Sequence, residues 1–394
     1  MKREETRQVY LDYSATTPVK PEVLEAMLPY FSEYYGNPSS LYSLGQKSKN
    51  AIRAARGQLA GLIGAQESEV FFTGSGTEAD NWALIGAAMW KRDKGRHIVT
   101  TNIEHHAIMH SGGFLEKEGY EVTSLPAGKD GLVKPELLEK AIRDDTTLVS
   151  VMFANNEIGT IQPIAELCAI AHEHGALFHT DAVQALGNVP IDVHGLGVDL
   201  MSMSAHKIYG PKGVGALYIK KGVNLPGYIH GGAQESDKRA GTENLTGIVG
   251  FGKAAELAAQ NLEAHIAKTR ELNDYFIDRV LREIPDVYVN GSLESRLPGN
   301  ANITFKYIES EAILLSLDIA GISVSTGSAC ASATLEPSHV LDALGLPIEE
   351  IYGSLRFTVG DFTTREDLDY VVEELKTAVA RLREFSLFSG QAGQ

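Results

Sequence analysis

The chain has 394 residues, 43% of them hydrophobic and 22% charged, the balance of a soluble globular protein long enough for two cores. A net charge of −16, from 35 basic against 51 acidic residues, excludes a nucleic-acid binder built on a basic surface. The two cysteines, Cys168 and Cys330, exclude a disulfide framework and a cysteine-rich metal site.

The first residues, M-K-R-E-E-T-R-Q, lack the apolar stretch of a signal peptide, and apolar runs such as Trp82–Trp90 are too short to span a bilayer. The expectation is a cytoplasmic protein with no membrane and no nucleic-acid partner. A strand is expected at Val9–Tyr13, then a helix over Pro21–Tyr35 ended by Gly36, Asn37 and Pro38, then a basic amphipathic helix over Gln46–Ile63. From there the pattern alternates. Strands are expected at Val70–Phe72, His97–Thr101, Tyr120–Leu125, Leu148–Phe153, Ala176–His179, Leu200–Ser204 and Val214–Ile219. Helices are expected between them at Thr77–Met89, Ala107–Glu118, Pro135–Arg143 and Ile164–His174. Such alternation predicts an α/β fold with a mostly parallel sheet covered on both faces.

Gly231–Thr246 reads as a polar loop, and a long helix over Ile248–Leu281 bridges to a smaller α+β unit. That unit has expected strands at Asn302–Phe305 and Leu355–Thr358 and helices at Ser310–Ala320 and Thr364–Arg383. The expected division is residues 14–260 as a large domain, with 1–13 and 261–394 as a small one. The last residues, Ser389–Gln394, read as a frayed tail.

In open α/β sheets, ligands bind outside the carboxyl ends of the strands, and here those ends carry polar and ionisable groups. The turn Thr73-Gly-Ser-Gly-Thr77 leads into a helix, so its amides suit an anion such as phosphate, although a plain strand-to-helix turn reads as well on that motif alone. It is neither a Walker loop nor a G-x-G-x-x-G turn. The run Glu104-His105-His106 has no second ligand at metal spacing, so no metal is expected. Asp181 alone suits a helix cap, and Lys207 in S-A-H-K-I-Y-G-P-K-G alone suits a solvated turn. Together they suit more: a Schiff-base lysine, an aspartate that keeps a pyridine nitrogen protonated, an aromatic histidine and a phosphate turn make a pyridoxal phosphate pocket.

These residues sit in a longer series: Y-L-D-Y-S-A-T-T-P, F-T-G-S-G-T-E-A-D-N, E-H-H-A, N-N-E-I-G-T-I-Q-P, H-T-D-A-V-Q, S-A-H-K-I-Y-G-P-K-G-V-G, R-A-G-T-E-N, T-G-S-A-C and S-L-R-F-T-V-G. Over nearly its whole length the chain resembles the NifS/IscS-type cysteine desulfurases. The resemblance implies a fold-type I pyridoxal phosphate enzyme with a seven-stranded sheet, working as a homodimer. Lys207 would carry the cofactor and remove the substrate's α-proton, and His105 would stack on the ring and act as acid and base. Asp181 would pair with the ring nitrogen and Gln184 with the ring hydroxyl. Gly76, Thr77, Ser204 and His206 would bind the phosphate, joined by Thr242 of the other subunit, and Asn156 and Arg356 would hold the α-carboxylate.

Cys330 lies in Ser323–Thr334, a run of Ser, Thr, Gly and Ala expected to form a mobile loop, whereas Cys168 sits in the apolar L-C-A-I-A helix as a small core residue. The resemblance makes Cys330 the thiol that takes sulfur from L-cysteine as a persulfide, releases L-alanine, and passes sulfur to an acceptor protein such as an iron–sulfur scaffold. Selenocysteine lyase, β-lyase and aminotransferase activities on the same framework, and a non-catalytic assembly scaffold, are the alternatives; a need for Cys330 separates the enzymatic ones, and a cofactor absorbance that depends on Lys207 separates the scaffold. Three stretches depart from the family pattern: T-G-S-A-C-A-S for S-G-S-A-C-T-S, R-A-G-T for R-S-G-T, and Asp361 where a basic residue is common.

Overall fold

The computed structural model describes residues 7–326 and 337–385. Short β1 (Val9–Tyr10) is followed by the strands of a central sheet: β2 (Val70–Thr73), β3 (His97–Thr101), β4 (Glu121–Leu125), β5 (Thr146–Ser150), β6 (Leu177–Asp181), β7 (Leu200–Ser204) and β8 (Gly215–Ile219). Their order is β2-β8-β7-β6-β5-β3-β4. Strand β8 runs antiparallel to both of its neighbours, and the remaining pairings are parallel. This is the expected mostly parallel sheet. Its inner strands β5, β6 and β7 are buried along their whole length, as crossover helices on both faces require.

Three departures from expectation have local causes. The Pro21–Tyr35 helix is two pieces, Pro21–Met27 and Pro29–Ser32, because Pro29 supplies no amide and its ring crowds the preceding turn. Strand β5 starts two residues before the expected Leu148, at Thr146, whose hydroxyl meets His97 Nδ1 at 2.7 Å inside the sheet. In the Gly231–Thr246 loop, Glu235, Ser236 and Asp237 share left-handed φ values of 47°, 57° and 63°. Buried Glu235 anchors this turn by accepting two bonds from Arg56, at 2.6 and 2.7 Å.

A second sheet is formed by β9 (Val287–Val289), β10 (Asn300–Phe305) and β12 (Ser354–Thr358), while β11 (Ile322–Ser323) pairs with β1. The 39-residue helix Leu245–Glu283 joins the two regions. Its start packs Ile248, Phe251 and Ala255 into the core of the central sheet, and its end packs Leu272, Phe276 and Val280 against β10 and β12. Val9 and Leu11 enter that second core, so the chain's beginning lies beside its C-terminal part. Among the described residues, no helix is long and apolar enough to cross a membrane.

Candidate active site

A cavity of about 350 Å³ opens where the central sheet meets the second one, within the range typical of small-molecule sites. The helix Gly76–Trp90 begins at its edge, capped by Ser75, whose hydroxyl accepts the Glu78 amide at 3.1 Å. A Cβ on Gly76 would stand 2.7 Å from Val183 Cγ2, and one on Gly215 would stand 2.4 Å from the Ser75 carbonyl carbon. Only glycine lets the helix start sit this close to the sheet, and the Gly76 and Thr77 amides of its first turn therefore border the cavity. Ser204, at the end of β7, and His206 line the same region. Burial, then the neighbouring Lys207 and Lys212, pushes His206 down to about 4, so its ring is neutral and meets Thr16 Oγ1 at 3.1 Å.

Asp181 closes β6 and is buried on the cavity wall. One of its oxygens accepts the Val183 amide at 2.9 Å. Burial pushes its carboxyl up, while His105, that amide and Lys207 pull it back. Asp80, Asp181 and His105 bring one ligand-type atom each within 4.8 Å of one another. His105 caps the helix His106–Lys117, its Nδ1 accepting the Ala107 amide at 3.1 Å, which leaves Nε2 as the nitrogen that carries or releases a proton. Desolvation first, against the pull of Asp181, lowers the His105 pKa.

Lys207 follows β7 and donates to the carbonyls of Ser14 and, at 2.8 Å, Ala15. Gln184 donates to the same Ser14 carbonyl at 2.9 Å. Arg356 on β12, only 2% exposed, reaches the cavity with Nη1 on the Asn156 carbonyl at 2.9 Å and Nη2 on Asp12 at 2.8 Å. Asn156 lines the cavity beside it. Thr242 is exposed and does not line this cavity; the resemblance assigns it to the site of a second copy. Cys330 lies outside the described residues. On its N-terminal side Ser325 exchanges backbone bonds with Arg356 at 2.7 and 3.2 Å, and on its C-terminal side His339 lines the cavity, its ring bonded to the Glu104 carbonyl at 2.9 Å.

Three acidic residues outside the expected set of site residues join it. Asp12 is brought to Arg356 across 344 residues by a bridge between Asp12 and Thr358, which no local pattern signals. Glu104 is buried, with Oε1 taking the Thr101 hydroxyl at 2.6 Å and the Met152 amide at 2.9 Å; Oε2 has no hydrogen-bond partner among the described residues, and burial raises its pKa to about 8. Asp80 Oδ1 is likewise buried without a hydrogen-bond partner among the described residues, with His179 Nε2 at 3.8 Å, and burial followed by Asp181 raises the pKa of that carboxyl well above the ordinary carboxylate range. Its spacing four residues after Gly76 was the available signal, since i and i+4 share a helix face.

The profile of the aminotransferase class-V family matches residues 9–371. The chain belongs to this family. A curated relative, the cysteine desulfurase IscS of Dictyoglomus turgidum, is 54% identical over 380 residues, 96% of each chain. Among solved structures, a NifS-like protein superposes with a TM-score of 0.90 at 36% identity, covering 95% of this chain and 100% of its own. Another, described as SspA in complex with cysteine, has a TM-score of 0.80 at 35% identity, covering 91% of this chain and 100% of its own. The class-V family and the NifS-like fold are pyridoxal-phosphate dependent. The cavity's residues fit that group: an anion-ready helix start at one point, and a buried carboxylate and a lysine elsewhere on the wall.

Proposed function

We propose that this protein is a cysteine desulfurase that uses pyridoxal phosphate to convert L-cysteine to L-alanine and retains the sulfur on Cys330 as a persulfide. The single observation that carries this reading is the meeting of Lys207, His105, Asp181, the Gly76 turn and Arg356 around one cavity, in a chain 54% identical to a relative of that activity. Pyridoxal phosphate, when bound, supplies an electron-withdrawing ring that activates the α- and β-carbons of an amino acid.

The amides of Gly76 and Thr77, with Ser204 and His206, would hold the phosphate, and Thr242 of a second copy would complete that set in a homodimer. Asp181 would keep the ring nitrogen protonated, Gln184 would pair with the ring hydroxyl, and His105 would stack on the ring. Arg356 suits the substrate's α-carboxylate because its planar fork matches two oxygens at once, with Asn156 beside it. Lys207 Nζ takes the α-proton, and His105 Nε2 exchanges a proton with the substrate. The net reaction balances: the substrate's C–S bond breaks, an S–S bond to Cys330 forms, and the thiol proton ends on the methyl group of alanine. A division into a large domain of residues 14–260 and a small domain of residues 1–13 with 261–394, the second carrying Cys330, belongs to the same reading. So do a cytoplasmic location and delivery of sulfur to an acceptor protein for iron–sulfur cluster assembly or other thio-cofactors.

The test begins with apoprotein titrated with pyridoxal phosphate. Wild type is expected to gain the near-visible absorbance of a lysine-bound cofactor and to bleach reversibly with L-cysteine, and Lys207→Ala to gain none. Equal absorbance in Lys207→Ala would overturn the assignment of the lysine.

A further inference from the structure

The segment Asp12–Lys20 forms a strap across the back of Lys207. Its Ser14 and Ala15 carbonyls hold the lysine amine, and the bonds continue residue by residue behind it. The Thr17 amide donates to the His206 carbonyl at 2.9 Å, the Tyr209 amide to Thr17 Oγ1 at 2.8 Å, and the Lys20 amide to the Tyr209 carbonyl at 3.1 Å. Tyr209, two residues past the lysine, has φ +64°, a left-handed conformation that costs a non-glycine residue about 1–2 kcal/mol and persists only where the surroundings fix it.

The strap holds the Tyr209 backbone through Thr17 and Lys20, and Asp361 holds its side chain. The backbone amide of Asp361 donates to the Tyr209 hydroxyl at 2.7 Å. Its carboxylate binds Lys20 Nζ at 2.5 Å through one oxygen and His265 Nδ1 at 2.5 Å through the other, and its carbonyl takes Lys268 Nζ at 2.5 Å. Lys20 in turn lies 4.6 Å from the centre of the Tyr209 ring. The approach depends on Gly360, where a Cβ would stand 2.6 Å from the Tyr209 hydroxyl and 2.4 Å from the Tyr13 ring. The carboxylate that departs from the family pattern therefore faces inward, joining the strap, the turn after Lys207 and the long helix. Burial opposes its charge, yet His265 and Lys20 outweigh burial and hold it down at about 2.

We propose that Asp361 is a positioning residue for Lys207, clamping the strap and the Tyr209 turn so that the lysine stays on the cavity wall with its amine on the Ser14 and Ala15 carbonyls. The inference rests on the reading of Lys207 as the reacting amine, and its test separates the two. Amide hydrogen exchange at Thr17, Lys20 and Tyr209 is followed in the apoprotein, and alanine release from L-cysteine in the loaded enzyme. The proteins are wild type, Asp361→Asn, Asp361→Lys and the charge-exchanged pair Lys20→Asp with Asp361→Lys. Asp361→Lys is expected to lose about 10-fold of protection at those amides and about 10-fold or more of kcat with KM within about threefold, because a misplaced catalytic group costs rate rather than uniform binding. Asp361→Asn, which keeps the shape, shows the same changes more weakly, and the charge-exchanged pair recovers most of both. Unchanged protection, lost protection at full kcat, or an exchanged pair no better than Asp361→Lys overturns the clamp. If wild type releases no alanine, the desulfurase reading fails while the exchange data still decide whether Asp361 holds the strap.

Discussion

Gly215→Ala probes the phosphate turn without touching a polar side chain. The added methyl carbon would stand 2.4 Å from the Ser75 carbonyl carbon, 2.6 Å from its oxygen and 2.8 Å from the Gly76 nitrogen, all backbone. Gly215 is itself held on both sides, paired with Thr73 of β2 and Ser204 of β7, so the helix start has to retreat. An ordinary contact near 3.4 Å requires a shift of about 1 Å, enough to lengthen an N–H···O bond from about 2.9 to about 3.9 Å and so lose it. Overpacking of this kind costs about 1–3 kcal/mol of stability. Losing one hydrogen bond to a charged phosphate, worth about 1.5–3 kcal/mol, weakens pyridoxal phosphate binding by about 10- to 100-fold. The assay is equilibrium titration of apoprotein, with Gly61→Ala as control, since a Cβ there would meet nothing within 4 Å among the described residues outside its own helix backbone. The control is expected to bind normally and to gain about 0.5–1 kcal/mol of stability. Wild-type cofactor affinity in Gly215→Ala would refute the argument that the close approach of Gly76 to the sheet builds the site.

Further outcomes follow from the electrostatics. Arg356→Lys keeps charge but loses the fork, and KM for L-cysteine is expected to rise about 10- to 100-fold in steady-state assays. The Asp361 carboxyl, held at about 2 against an ordinary 3.8, contributes stability that is fully present above pH 4 and is lost as pH falls toward 2. The size is about 2 kcal/mol, and denaturant melts of wild type against Asp361→Asn across that range should show the difference shrinking with acid. Glu104 has the opposite sign. Its carboxyl is raised from 4.5 to about 8, so the folded state holds a proton that the unfolded state releases, and stability falls as pH climbs between those values. Glu104→Gln should flatten that fall; an unchanged pH profile would mean that Glu104 is ionised in the fold.

The alternation of strands and helices, and the site residues at strand ends, were legible because both faces of the sheet are covered and a strand's carboxyl end is defined by the sheet itself. His97–Thr101 and Leu200–Ser204 have the boundaries expected from their patterns. The start of β5 was hidden because Thr146 and Thr147 look like loop residues, yet their hydroxyls are satisfied by His97 within the sheet. Strand β9 is only three half-buried residues, too short to show a period. The strap was visible as a motif but not as a clamp: the contacts of Ser14 with Lys207 and of Lys20 with Asp361 span 193 and 341 residues, and only the assembled core brings them together. The burial of Asp80 and Glu104 was hidden for a different reason, since a buried carboxyl and a surface one look alike in sequence.

Sulfur transfer to Cys330 is decided by measuring L-alanine and sulfide released from L-cysteine under reductant, in wild type and Cys330→Ala loaded with pyridoxal phosphate. Alanine and sulfide are expected in equal amounts from wild type, with the rate falling at least about 100-fold in Cys330→Ala, whose loss removes the atom that receives the sulfur. Undiminished alanine and sulfide release from Cys330→Ala would contradict it, as would pyruvate in place of alanine.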